Sequence, residues 1–171
     1  MNNSTVEQLE SLLLEEKSDA EKAELFLQLG KAYNASGKLQ EAIAATNQAL
    51  LLFERSANTA QVIRTGITAG NIYINLGNLS EAFQSFYEAL RKAKAVGTKA
   101  DMISAYNGLG NVRGTEDKLT DAISYYETAL KLAAEIKDIK MQGSLVTNLG
   151  VIRQKQGNYS ESLKNYLEAL R

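Results

Sequence analysis

Glycine recurs at an interval of forty residues, at Gly30, Gly70, Gly110 and Gly150. Other columns keep the same register. Seven residues further on stand Gly37, Gly77, Asp117 and Gly157, followed by Leu39, Leu79, Leu119 and Tyr159. Then come Glu41, Glu81, Asp121 and Glu161, and Ala42, Ala82, Ala122 and Ser162. Ala49, Ala89, Ala129 and Ala169 are each followed by Leu, at 50, 90, 130 and 170. A chain self-similar at such a period is an array of one supersecondary unit. One unit cannot bury its apolar side alone, so neighbours must stack.

Each unit reads as two helices. In the second, Val62, Ala69, Ile72, Tyr73 and Leu76 make one apolar stripe at helical spacing, and Leu79, Ala82, Phe83, Phe86, Ala89, Leu90 and Ala93 make another. Between them Gly77 suits a helix C-terminus, and Asn78 with Glu81 suits the next start. Ser18 with Glu21, Asn58 with Gln61, Thr98 with Asp101, and Asp138 mark further starts. The mid-helix glycines each cost about 1 kcal/mol against alanine. Their common register therefore predicts a close helix approach, with Ala42, Ala82 and Ala122 as the expected partners. Tyr33, Tyr73, Phe86, Tyr126 and Tyr166 are expected to fill the space between pairs.

The expected fold is all-α, a solenoid of antiparallel helix hairpins. Residues 1–17 form an N-terminal capping helix or half repeat, with Ser4 and Glu7 as a capping box and Val6, Leu9 and Leu13 on one face. Repeats follow at 18–57, 58–97, 98–137 and 138–171, the last with its second helix cut short. Leu163, Tyr166, Leu167 and Leu170 lie on that unfinished helix. Stacked repeats need a polar end cap. The expectation is a piece of a longer protein, or an end that pairs with another copy.

Composition narrows the chemistry. The chain of 171 residues has no His and no Cys, so imidazole and thiolate ligands and Ser-His or Cys-His relays are excluded. Nineteen basic against twenty acidic residues give a net charge of -1, which argues against binding nucleic acid or anionic membrane by bulk charge. No apolar run is long enough for a membrane span and no signal peptide opens the chain, so the expected location is cytoplasmic. No acid–base pair, metal cage or cofactor site is expected, and no enzymatic activity. Gly108-Leu109-Gly110 with Gly114 is like a phosphate loop only on paper, since no strand precedes it. Those glycines instead predict that the third unit's first helix is the least stable, a hinge.

The joint pattern resembles the tetratricopeptide repeat. Leu29-Gly30-Lys31-Ala32-Tyr33 with Gly37, Leu39, Ala42 and Ala49 carries the likeness. Gly70, Tyr73, Gly77, Ala82 and Ala89 repeat it, as do Leu149-Gly150, Gly157-Asn158-Tyr159 and Ala169. The spacing of forty is similar to the longer-helix branch found in kinesin light chain and many bacterial regulators. The resemblance implies a right-handed superhelix whose first helices line an inner groove. Arg113 and Arg153 replace the tyrosine of the motif, and Asp117 replaces the turn glycine. The third and fourth units are therefore expected to pack differently or to present positive charge.

The groove implied by that resemblance gives the candidate site. Removing the core stripes leaves Lys31, Asn34, Arg64, Ile67, Asn71, Asn75, Asn107, Asn111, Thr147 and Asn148 on the first helices. Leu27, Ile74, Gly108 and Gly114 fall on the same face. Each Asn offers a donor and an acceptor, so a ladder of them suits the backbone of an extended peptide. The expected function is a protein- or peptide-binding scaffold or sensory module of a signalling protein. Its alternative is homo-oligomerisation through the C-terminal helix, or an intramolecular regulatory role with no free peptide ligand.

Overall fold

The computed structural model describes residues 3–15 and 17–157. All regular structure among them is helical: α1 (Asn3–Leu13), α2 (Asp19–Ala35), α3 (Leu39–Arg55), α4 (Thr59–Leu76), α5 (Leu79–Val96), α6 (Lys99–Thr115), α7 (Leu119–Glu135) and α8 (Ile139–Lys155). The unfinished helix expected after Gly157 lies outside the described residues, as does the side chain of Ser4. Backbone helix already begins at Asn3, so Ser4 sits inside the first turn.

The starts are built as the capping residues require. Ser18 accepts from the Glu21 N–H while the Glu21 carboxylate accepts from Ser18, which holds that carboxylate below its ordinary range. Thr98 and Asp101 form the same reciprocal box. Asn58 and Asp138 accept from the N–H groups of Gln61 and Met141.

Five helix ends share one closure, and the α5–α6 turn differs, with the Gly97 N–H donating to the Ala93 carbonyl. The N–H groups of Lys38, Asn58, Asn78, Lys118 and Asp138 donate to the carbonyls of Tyr33, Phe53, Tyr73, Arg113 and Ala133. This closure places the preceding residue in the left-handed region. Gly77 adopts φ 78° there, and Asp117 follows it at φ 63°. The Asp117 exchange therefore leaves the turn unchanged.

Two compact units divide the chain after Lys92, inside α5. In residues 1–92, α1 lays Val6 and Leu9 against Leu29, Ala32 and Ala45. Ala23, Leu27, Ala49, Phe53 and Val62 form a second cluster, and Ala42, Ile43, Ala69 and Ile72 a third. In residues 93–171, Ile103, Ala122, Tyr126, Ala129, Leu145, Leu149 and Ile152 pack together.

Gly30, Gly70 and Gly110 do face the second helices; Ala42 approaches Gly30 through its carbonyl, at 3.1 Å from an added Cβ, whereas Gly70 and Gly110 clear space for a larger neighbour than the alanine. A Cβ on Gly70 would fall 2.7 Å from Phe86 Cζ, and one on Gly110 would fall 2.6 Å from Tyr126 Cε1. At Gly30 the obstacle is the Thr46 hydroxyl, which donates to the Ala42 carbonyl at 2.8 Å. The side chain one turn beyond the alanine lies over each of these glycines, an aromatic ring at Gly70 and Gly110 and a threonine hydroxyl at Gly30. Tyr33 and Tyr73 are only half-buried.

Candidate functional site

A helix puts residues three, four and seven apart on one side. On α4, Arg64, Asn71 and Asn75 are exposed and Ile67 and Ile74 half-buried. This face is opposite the one that carries Val62, Gly66, Ala69 and Tyr73. On α2, Lys31 is exposed and Asn34 half-buried. Leu27 departs from expectation: it is 2% exposed, locked among Ala23, Ala49, Phe53 and Val62. In the second unit Asn107, Asn111 and Asn148 are half-buried and Thr147 is exposed. Gly108 and Gly114 are buried rather than open, and Gly114 leaves room for Ile152, whose Cδ1 would lie 2.7 Å from an added Cβ.

Asparagines from successive first helices meet directly. In the first unit the Asn75 side-chain NH2 donates to Asn34 Oδ1 at 2.8 Å. In the second the Asn148 NH2 donates to Asn107 Oδ1 at 2.9 Å. Lys155 Nζ donates to the Gly114 carbonyl at 3.2 Å. Every one of these links joins residues forty-one apart, one more than the repeat. A search for equal columns passes over such an offset. Each amide pair spends one donor and one acceptor, leaving an NH2 on one partner and a carbonyl on the other.

Asn71 and Asn111, equivalent by column, do different work. Asn111 Oδ1 accepts from the Tyr126 hydroxyl at 2.7 Å. Burial pushes the Tyr126 phenol up to about 12. In the second repeat the same position is Phe86, which has no hydroxyl to give, and Asn71 stays exposed. In the first unit Tyr33 donates to Glu10 of α1, and this hydrogen bond, aided by burial, raises its phenol to about 12.

The arginines in the tyrosine column do not present free positive charge. Arg113 Nη1 reaches Glu116 at 2.5 Å, and Arg153 Nη2 reaches Glu127 at 3.0 Å. Their side chains are 20% and 14% exposed, so most of each lies along the protein surface. Arg113 first, then Lys118, holds the Glu116 carboxyl below the usual range.

Among the described residues no three His, Cys, Asp or Glu side chains gather as a metal would need. No described helix is long and apolar enough to cross a membrane.

Profiles of the tetratricopeptide repeat match residues 23–55 and 61–135, together more than half of the chain. The chain belongs to the tetratricopeptide-repeat family. No curated protein sequence matches it. Solved structures share the tetratricopeptide-repeat fold. Aspartyl phosphate phosphatase F from Bacillus subtilis superposes with a TM-score of 0.89 at 18% identity, over 98% of this chain and 44% of its own. The apo form of RapI gives 0.86 at 20% identity, over 97% and 61%. A Rap protein complexed with competence and sporulation factor gives 0.88 at 17%, over 98% and 46%. The chain thus spans between 44% and 61% of the length of these structures, and at such identities the likeness is one of fold.

Proposed function

We propose that this tetratricopeptide-repeat chain is a binding module that holds a segment of another polypeptide in the groove lined by the asparagine-bearing face of its first helices. Support comes from the amide chemistry of that face. The pairs Asn34–Asn75 and Asn107–Asn148 each brace neighbouring helices of their own unit and still offer a donor and an acceptor, and Asn71 is exposed one turn from Asn75 on the same helix. Amide groups of this kind pair with a peptide backbone whatever its side chains. Ile67 and Ile74 add half-buried apolar surface, and Lys31 and Arg64 add a mild positive bias. Among structures of similar fold, one Rap protein is complexed with competence and sporulation factor and another with the Phr* peptide. In this reading the ligand is an extended peptide and the chain is the sensory or scaffolding part of a larger signalling protein.

The test is a peptide array probed with the chain and with Asn71→Ala/Asn75→Ala. Each hydrogen bond lost is worth about 1 kcal/mol, so the double variant should bind the selected peptides roughly tenfold more weakly or worse. Unchanged binding would remove the asparagine face from the account. If the chain selects no peptide and light scattering shows reversible oligomers, the self-association reading takes its place.

A further inference from the structure

On the other side of α4, helices α3 and α5 leave a groove of about 520 Å³. Its floor is Val62, Gly66, Ala69 and Ala89. The position of Gly66 in the repeat explains why it is open. The column running through it holds Phe26, Gly66, Tyr106 and Val146. Phe26 and Tyr106 pack against the cores of their units and Val146 is 5% exposed. The second repeat lacks the bulky side chain the others carry. Nothing nearby demands glycine: an added Cβ would meet Ala89 Cβ at 3.6 Å and the Ser85 carbonyl at 3.8 Å, ordinary contact distances. Mid-helix glycine is destabilising against alanine, and here neither a turn nor a close approach accounts for it.

We propose that this groove receives a helix of another protein, which inserts one aromatic side chain over Gly66 and sets a Lys or Arg one turn away against Glu81. Charge selects the basic neighbour. At the mouth, Lys92 pairs with Glu54 at 3.5 Å and Arg91 with Glu88 at 2.9 Å. Glu81, also lining the groove, has no ion pair among the described residues. The cleft between two helices lying on a third accepts the ridge of a fourth, and the vacancy fixes where its anchor sits. This surface is separate from the asparagine face, so the two readings stand or fall independently.

The probe is a capped alanine-based helical peptide with one Trp and a Lys four residues on, titrated into 15N-labelled chain. The amides of Gly66, Ala69 and Ala89 should shift, and the same peptide with Ala for Trp should leave them in place. Glu for Lys should weaken binding about two- to fivefold, the range of an exposed ion pair. Glu81→Gln, which alters no packing, should remove that preference. Gly66→Phe restores the ring found at position 26 and should weaken the Trp peptide at least about tenfold, as loss of a buried anchor does. Equal shifts with the Trp-free peptide overturn the proposal, as does undiminished affinity in both variants. Shifts confined to Asn71 and Asn75 also overturn it. Concentration-dependent dimers of the chain that Gly66→Phe abolishes would assign the groove to a second copy, again against the proposal.

Discussion

At the residue scale, one methyl group separates two kinds of mid-helix glycine. An alanine at 70 or 110 would drive Cβ to within 2.7 or 2.6 Å of the ring of Phe86 or Tyr126. Gly70→Ala and Gly110→Ala should each destabilise by about 1–3 kcal/mol, the cost of overpacking a filled site. Gly66→Ala meets only ordinary contacts, and at Gly143 nothing lies within 4 Å. Both should stabilise by about 1 kcal/mol through helix propensity. Urea melts of the four variants check the opposite signs. Tyr126 supplies a second test. Its phenol lies at about 12, above the ordinary 10.0, so the native state keeps a proton that the unfolded chain gives up. Its contribution is full below pH 10 and is lost as pH rises from 10 towards about 12. Tyr126→Phe should cost about 1 kcal/mol at neutral pH, for the hydrogen bond to Asn111. It should also flatten the alkaline loss. A variant with the same alkaline slope as the parent would assign that slope to other groups.

Elements are where the repeat shows its constraints. Five turns close alike, yet Ala57, Asp117 and Lys137 adopt left-handed φ of 54°, 63° and 57° where glycine is unstrained. Ala57→Gly and Lys137→Gly should each stabilise by about 1 kcal/mol, with Asp117→Gly gaining less because Asp tolerates that region. Thermal melts test the ranking. The glycines of α6 present a competition. Propensity makes α6 the weak helix and a hinge, while Gly110 under Tyr126 and Gly114 under Ile152 tie it into its unit. Propensity alone predicts faster amide exchange in α6 than in α4. Equal protection would show that the rings and Ile152 make up the deficit. Helix ends were legible because capping is local: Ser18, Asn58, Thr98 and Asp138 announce their roles within three residues. The partner of each glycine was not, since it depends on which turn of the second helix crosses above it.

For the molecule as a whole, periodicity carries the hairpins, the family and the core columns into view from residues alone. Pairings that depend on the tilt between neighbouring helices escape it. The links Asn34–Asn75 and Asn107–Asn148 run at forty-one and so fall between columns. Leu27 shares the spacing of the polar face yet is buried, because Phe53 and Val62 close over it. The groove over Gly66 is written in a column whose residue changes, which a search for sameness passes over. Function rests on which of these surfaces a partner uses. The most direct measurement follows the side-chain amide resonances of Asn34, Asn71, Asn75, Asn107 and Asn148 as an array-selected peptide is added. Binding along the first helices predicts that, within residues 1–92, Asn71 and the Asn34–Asn75 pair move together and saturably. Saturable binding that leaves all five unmoved would contradict it.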